Sequence, residues 1–253
     1  MTMLRLPPFA ATALALPLAL ALAACGEKDA VSETGAPTGE PVAAVAAPAG
    51  QQWADVATVT PEGGALIGNP NAPIKLMEFG SLTCGACAQF AQTGFEHLRD
   101  KYINSGRVSF ELRNQVHNGI DLVMARMVRC STPEAIVPLS EQVWMNFEPV
   151  MERAQQGAAA LENMGQLPEN QRYAAVAEAT GLLDFFAARG ISKDQARACL
   201  ADGKAVEEIA NRSTAQSEEL NVTGTPTFFI NGRNVGTQGW ATLEPMLQEA
   251  GAR

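Results

Sequence analysis

The stretch IKLMEFGSLTCGACAQF, residues 74–90, decides the fold. Ile74 to Phe79 reads as a buried strand, Ser81-Leu82-Thr83 turns the chain, and a helical pattern begins at Cys84. Cys84-Gly85-Ala86-Cys87 therefore sets two thiols three positions apart at a helix start, where they can close a disulfide and open it again. Unpaired N–H groups and the helix dipole favour negative charge there. That lowers the pKa expected of Cys84 and yields a thiolate, the reactive species.

The same spacing is half of a zinc site, which needs two further ligands, usually a second close pair. Cys25, Cys130 and Cys199 stand apart from one another, and His97 and His117 pair with nothing at ligand spacing. No metal and no cofactor is expected, and each histidine reads as a surface or boundary residue. No nucleotide or flavin motif occurs, so cysteine alone is left to carry electrons.

Working outward, Ala65-Leu66-Ile67 reads as a short strand and Asn69-Pro70-Asn71-Ala72-Pro73 as a turn. A helix is expected from Cys84 to Ile103, stopped by Asn104-Ser105-Gly106. Val108 to Leu112 alternates as a strand. The strand–helix–strand order implies a parallel pair. Residues 119–201 then read as helical throughout, with Thr132-Pro133 opening one helix and Ser192-Lys193-Asp194-Gln195 capping another. A helix over about 203–220 leads to Gly224-Thr225-Pro226-Thr227-Phe228-Phe229-Ile230. That run is a strand starting at a proline, followed by the hairpin turn Asn231-Gly232. Val235 continues the hairpin, and a last helix covers about 240–250.

The N-terminus reads as a targeting segment. Residues 9–24 are almost wholly apolar, interrupted by Pro17, and too short to span a bilayer comfortably. They end in Leu22-Ala23-Ala24-Cys25, which resembles the lipobox of bacterial lipoproteins, in which the cysteine is lipidated. An ordinary signal peptide with Cys25 incidental is the alternative. Residues 26–60, rich in Ala, Pro, Gly, Thr and Glu, read as a flexible tether; about 35 such residues reach on the order of 30 Å. Trp53 marks where ordered structure is expected to begin. The net charge of −9 in 253 residues argues against nucleic acid as a partner.

Together these pieces resemble the DsbA-like thiol–disulfide oxidoreductases of the thioredoxin superfamily, over about residues 62–251. The motifs are Glu78-Phe79, Cys84-Gly85-Ala86-Cys87, the helical insertion, and Val222-Thr223-Gly224-Thr225-Pro226-Thr227-Phe228-Phe229. The resemblance implies an α/β thioredoxin fold, a central mixed β-sheet flanked by helices, with an inserted all-helical subdomain. The expected division is a lipoprotein-type signal peptide (1–24), a lipid-anchored linker (25–60), the thioredoxin-fold domain (61–117 and 202–253) and the helical insertion (118–201). The resemblance further implies that Pro226 is cis and faces the active pair, that Thr225 and Gly224 receive an extended substrate, and that Glu78 moves a proton for Cys87. Solvent exposure by strand alternation is the competing reading of Glu78. Cys130 and Cys199 resemble a second, structural disulfide of such proteins; two buried free cysteines are the alternative.

Two departures from the best-known oxidases stand out. Their intervening dipeptide carries a histidine, whereas Gly85-Ala86 is small and neutral, so Cys84 is expected to be less acidic and the pair less oxidising. Thr225 replaces a common valine and is similar to what periplasmic isomerases carry. The implied function is disulfide formation in envelope proteins, with reduced envelope proteins as substrates and a DsbB-type membrane partner. A monomer anchored through Cys25 on the periplasmic side is expected, on the outer membrane because Gly26 follows the cysteine. A reductase or isomerase kept reduced by a membrane donor is the first rival. A lipid-anchored binding or chaperone module is the second.

Overall fold

A computed structural model describes residues 2–3 and 37–253. All but residues 2–3 of the expected signal segment, together with Cys25 and the first part of the expected linker, lie outside the described residues. Residues 34–253 group as one unit, and everything below concerns that unit.

Six strands form one sheet in the order β1-β2-β4-β3-β5-β6. They are β1 (Ala57–Val59), β2 (Ala65–Gly68), β3 (Ile74–Gly80), β4 (Val108–Asn114), β5 (Thr227–Ile230) and β6 (Arg233–Gly236). β3 and β4 run parallel, with Ile74 opposite Val108 and Gly80 opposite Asn114. All other neighbours are antiparallel. This mixed sheet has the strand–helix–strand crossover that the sequence order requires, and its helical flanks complete a thioredoxin fold.

The β3–β4 connection is the helix opened by the cysteine motif. It is regular as α1 (Gly85–Phe90), and its turns then widen over Ala91–Phe95 and Leu98–Ile103. Gly94 lies in the first wide stretch because a Cβ there would come within 2.6 Å of Trp240 Cβ. The insertion supplies α2 (Gly119–Met127), α3 (Pro133–Met145), α4 (Phe147–Gln156), α5 (Ala159–Asn163), α6 (Glu169–Ala179), α7 (Leu182–Ala187) and α8 (Lys193–Leu200). Pro133 opens α3, and the Ser192 side chain accepts the Gln195 N–H at the start of α8. α9 (Gly203–Glu219) returns to the sheet, and α10 (Trp240–Glu249) closes the fold.

Sheet and insertion share one core. Leu76, Phe110 and Phe228 belong to it, and so do Val143, Trp144 and Phe186 from the insertion. Burying such side chains contributes roughly 1.5–3 kcal/mol each, so the helical part stabilises the sheet it covers. A smaller cluster of Phe79, Val222 and Phe229 packs on the opposite side of β3. Among the described residues no helix is long and apolar enough to cross a membrane.

The expected tether is corrected over residues 39–59. Gly39 N–H bonds to Glu249 O at 2.8 Å, Val42 N–H to Gly251 O at 2.8 Å and Val45 N–H to Ser105 O at 2.9 Å. Arg107 Nε donates to Val42 O and Trp53 Nε1 to Val45 O, both at 2.7 Å. Ordered structure therefore begins well before Trp53. Small residues permit this close backbone pairing: a Cβ on Gly39 would fall 2.4 Å from Ala250 O. β1 then extends the sheet at residues the composition had marked as linker.

Candidate active site

β3 ends at Gly80 and delivers the chain into the turn Ser81-Leu82-Thr83. Three contacts from outside fix that turn. Asp121, at the start of α2 and fully buried, accepts from Ser81 Oγ at 2.6 Å, from Leu82 N–H at 2.9 Å and from His117 N–H at 2.9 Å. Trp144 of α3 donates its indole N–H to Ser81 O at 3.0 Å. Burial pushes the Asp121 carboxyl up, against the opposing pull of these donors. The insertion thus holds the loop that presents the cysteines.

Cys84 is the N-cap of α1, in extended backbone conformation, and its sulfur accepts the Cys87 N–H at 3.4 Å. It is half-buried, whereas Cys87 is fully buried, and the pair is in the dithiol form. Their acidities diverge. The Cys87 thiol donating to the Cys84 sulfur is the main cause that brings Cys84 down to about 5. Burial opposes it, and the Thr225 side chain and the N–H groups of Cys87 and Ala86 assist it. Burial chiefly, then the proton shared with Cys84, drives Cys87 upward. One sulfur is poised to carry charge and the other to keep its proton.

Glu78 lies in phase with Ile74 and Leu76, so strand alternation turns it into the core rather than to solvent. It is 1% exposed, and neither carboxyl oxygen has a hydrogen-bond partner within the protein. Burial, reinforced by charge on Cys84, pushes it up to about 8. At neutral pH it is mostly protonated and can give that proton away. Glu141 of α3 is likewise pushed well up, by burial and then by Glu78.

The Thr225–Pro226 peptide bond is cis. Thr225 O lies 3.3 Å from Cys84 Sγ and accepts its proton in the thiol form. Gly224 O is held by Thr227 Oγ1 at 2.7 Å, and the space beside the Gly224 Cα is open. Gly85 and Ala86 are exposed. Ala86, Phe90, Pro226, Gln238 and Trp240 border a cavity of about 400 Å³ beside the motif. Cys130 and Cys199, 69 positions apart, are bonded to each other with S–S 2.01 Å.

The structure therefore brings Cys84, Cys87, Glu78, Thr225, Pro226 and Gly85-Ala86 together, with Gly224 beside them. Cys130–Cys199 lies in the insertion, and Cys25 lies outside the described residues. Among the described residues no group of three His, Cys, Asp or Glu side chains stands where it could hold a metal.

Sequence reading missed three members of the site: Asp121, Trp144 and His117. His117 is exposed, as a surface residue should be, yet its Nε2 lies 3.3 Å from Thr225 Oγ1, beside the reactive sulfur. Asp121 left a faint signal, a lone acid in the apolar run Gly119–Met127. No local pattern could have told that it braces a loop 39 residues away. His97 stacks on Trp240 at 6.1 Å between ring centroids, a boundary position.

Comparison with known proteins agrees with this geometry. The sequence profile of the thioredoxin family matches residues 60–249. A Rickettsia bellii protein that carries protein-disulfide oxidoreductase as a provisional name is 23% identical over 171 residues, covering 68% of this chain and 58% of that protein. The chain thus spans little more than half the length of the Rickettsia relatives it matches. The solved structure described as a protein-disulfide isomerase from Novosphingobium aromaticivorans superposes with a TM-score of 0.67 and 29% identity, over 72% of this chain and 94% of that one. Wolbachia pipientis alpha-DsbA1 shares the fold, with a TM-score of 0.60 and 22% identity over 76% of this chain and 92% of its own.

Proposed function

The chain belongs to the thioredoxin family, and from that premise we propose that it is a thiol–disulfide oxidoreductase that forms disulfides in exported proteins through Cys84 and Cys87. The observation that carries this reading is the split between the two sulfurs: Cys84 brought down to about 5, Cys87 buried and driven up.

The split assigns the steps. In the oxidised form a substrate thiolate attacks Cys84 Sγ, and the Cys84–Cys87 bond breaks. The electron pair leaves on Cys87, which cannot stay charged in its buried position and takes a proton from Glu78. A second substrate thiolate then attacks the substrate sulfur of the mixed disulfide. Cys84 departs as a thiolate, stabilised by the Cys87 thiol, the Thr225 side chain and two backbone N–H groups. The substrate gains one disulfide and the enzyme holds both electrons as a dithiol. Thr225 and Gly224, facing the reactive sulfur, align the substrate backbone, and the cavity bordered by Ala86 and Trp240 receives its side chains.

Regeneration needs an electron acceptor, proposed to be a DsbB-type membrane protein. The proposed setting is the bacterial envelope, with the chain anchored by lipid at Cys25. The expected division into a thioredoxin-fold domain (61–117, 202–253) and an insertion (118–201) remains the working one, with residues 39–59 now added to the folded part.

A second reading, a reductase or isomerase, is favoured by the Novosphingobium relative described as an isomerase and by Thr225. The two readings differ in redox poise, since each 30 mV is worth about 1.4 kcal/mol. Trapping tests the shared chemistry. With Cys87→Ser, a reduced unfolded protein and a mild oxidant should accumulate as a mixed disulfide on Cys84. With Cys84→Ser none should form. Full activity of Cys84→Ser would instead identify a binding module and overturn the proposal.

A further inference from the structure

A second polar cluster lies where the turn between β1 and β2 meets the end of β4 and the side of α9. A cavity of about 20 Å³ is bordered there by three guanidinium groups, those of Arg113, Arg129 and Arg212. Two have carboxylate partners. Arg113 bonds Glu111 at 2.8 Å and lies 3.8 Å from Glu62, which also borders the cavity; Arg212 bonds Glu208.

Arg129 has no carboxylate partner among the described residues. Its hydrogen bonds go to neutral acceptors: Asn114 Oδ1 at 2.6 Å, Ala125 O at 3.0 Å and Gly63 O at 3.2 Å. The charges that act on it have its own sign. Burial first, then Arg212 and Arg126, bring its pKa down to about 10. Arg212 lies against the same glycine, since a Cβ on Gly63 would fall 1.7 Å from Arg212 Nη1. Two cationic groups thus close on one peptide unit.

Asn114 adds a second, independent signal. It is 8% exposed, its Oδ1 is taken by Arg129, and its Nδ2 has no acceptor among the described residues. A buried amide donor left unpaired is destabilising, because it has lost water and gained no partner. A guanidinium drawn out of water without a counter-charge is destabilising as well. One acceptor bearing one negative charge would relieve both.

We infer that this cavity binds a single monovalent anion of halide size, held by the Arg129 guanidinium and Asn114 Nδ2, with Arg212 beyond. The charge follows from the one guanidinium that lacks a carboxylate. The size follows from the volume, since one water-sized species needs about 10–15 Å³ of such space. The Ser213 hydroxyl borders the same cavity and accepts the Val116 N–H at 2.8 Å. The anion would therefore brace the strand end that continues to His117 at the active site.

The test compares unfolding of the full chain in sodium chloride and in sodium gluconate at matched ionic strength. Chloride should stabilise specifically: at ten times its dissociation constant the folded-to-unfolded ratio rises about 11-fold. Asn114→Asp supplies the missing charge from the chain itself and should abolish the difference, while general salt effects persist in both chains. Crystals of the unaltered chain grown with bromide should show an anomalous peak within hydrogen-bond reach of Arg129 and Asn114. Coincident chloride and gluconate curves, or no such bromide peak, would overturn the inference. Should Asn114→Asp fail to fold, the bromide experiment decides alone.

Discussion

Cys84–Cys87 and Cys130–Cys199 each hold two sulfur atoms, in opposite states. The first pair is open, with one sulfur half-buried at a helix start and the other beneath it. The second is closed, joining the end of α2 to α8. Their surroundings differ in where the donors point. At Cys84 a thiol, a threonine side chain and two backbone N–H groups converge on the sulfur. At the second pair the donors pass the sulfurs by: Gln195 Nε2 donates to Cys130 O at 2.6 Å, and Arg126 donates to Cys199 O at 3.3 Å. Donors that converge on a sulfur stabilise the reduced thiolate and make the disulfide a good oxidant. Donors that hold the backbone leave the sulfurs with no such reason to reopen.

Breaking one pair at a time should separate reactivity from stability. Cys84→Ser should abolish thiol–disulfide exchange with a peptide substrate. Cys130→Ala with Cys199→Ala should keep exchange near the unaltered rate and lower stability by roughly 4 kcal/mol, read from the denaturant midpoint. Loss of exchange in the double variant equal to that in Cys84→Ser would erase the distinction.

Glu78 sharpens the contrast, because it lies buried beside the open pair and its charge acts on both sulfurs. Glu78→Gln should slow the steps at Cys87 on the order of 10²-fold, with the acidity of Cys84 little changed. Its sign in stability is also fixed. A carboxyl raised to about 8, from about 4.3 when unfolded, binds its proton more tightly in the folded state. The resulting stability is complete below about pH 4 and lost as pH rises towards 8. The Gln variant should show a flatter stability profile across that window. Unaltered kinetics would remove Glu78 from the mechanism.

Smaller effects are expected from the supports. Asp121→Asn turns an amide N–H₂ against one or more of the three donors it now serves, and should cost about 1–3 kcal/mol. It should also raise the Cys84 pKa, because the loop that aims Cys84 loosens. Thr225→Val removes the hydroxyl between His117 and Cys84. It should raise the Cys84 pKa by about one unit or less, the worth of one hydrogen bond, seen in a titration of thiolate absorbance. A Thr225→Val shift exceeding that of Asp121→Asn would reverse the ranking of supports.

Much of this was legible in the sequence because its signals are local. Strand Ile74 to Phe79, the turn, the cysteine spacing and the proline at Pro226 each sit within a few residues of what they specify. Glu78 was placed by the resemblance, a few positions before Cys84, against an alternation reading that sent it to solvent; in the fold it lies in phase with Ile74 and Leu76 and is buried. The rest depends on partners far along the chain. Residues 39–59 looked like a tether because their Ala, Gly and Pro carry no pattern, yet their backbone groups pair with carbonyls at Ser105, Glu249 and Gly251. His117 and Asp121 gain their roles from loops that only the fold brings beside them. The neutral dipeptide led the sequence to expect a Cys84 less acidic than in the strongest oxidases. In the fold Cys84 is brought down to about 5, chiefly by the Cys87 thiol. What sequence could not supply is how the Cys87 thiol, with Thr225 and two backbone N–H groups, holds the thiolate without that histidine.

The most direct test of the disulfide-donor reading is the equilibrium of Cys84/Cys87 with glutathione in the full chain. The acidity of Cys84 sets the expected potential between about −270 mV and about −120 mV, the values for thioredoxin and DsbA. A potential at or below about −270 mV would contradict the account and make the protein a reductase that draws electrons from a donor.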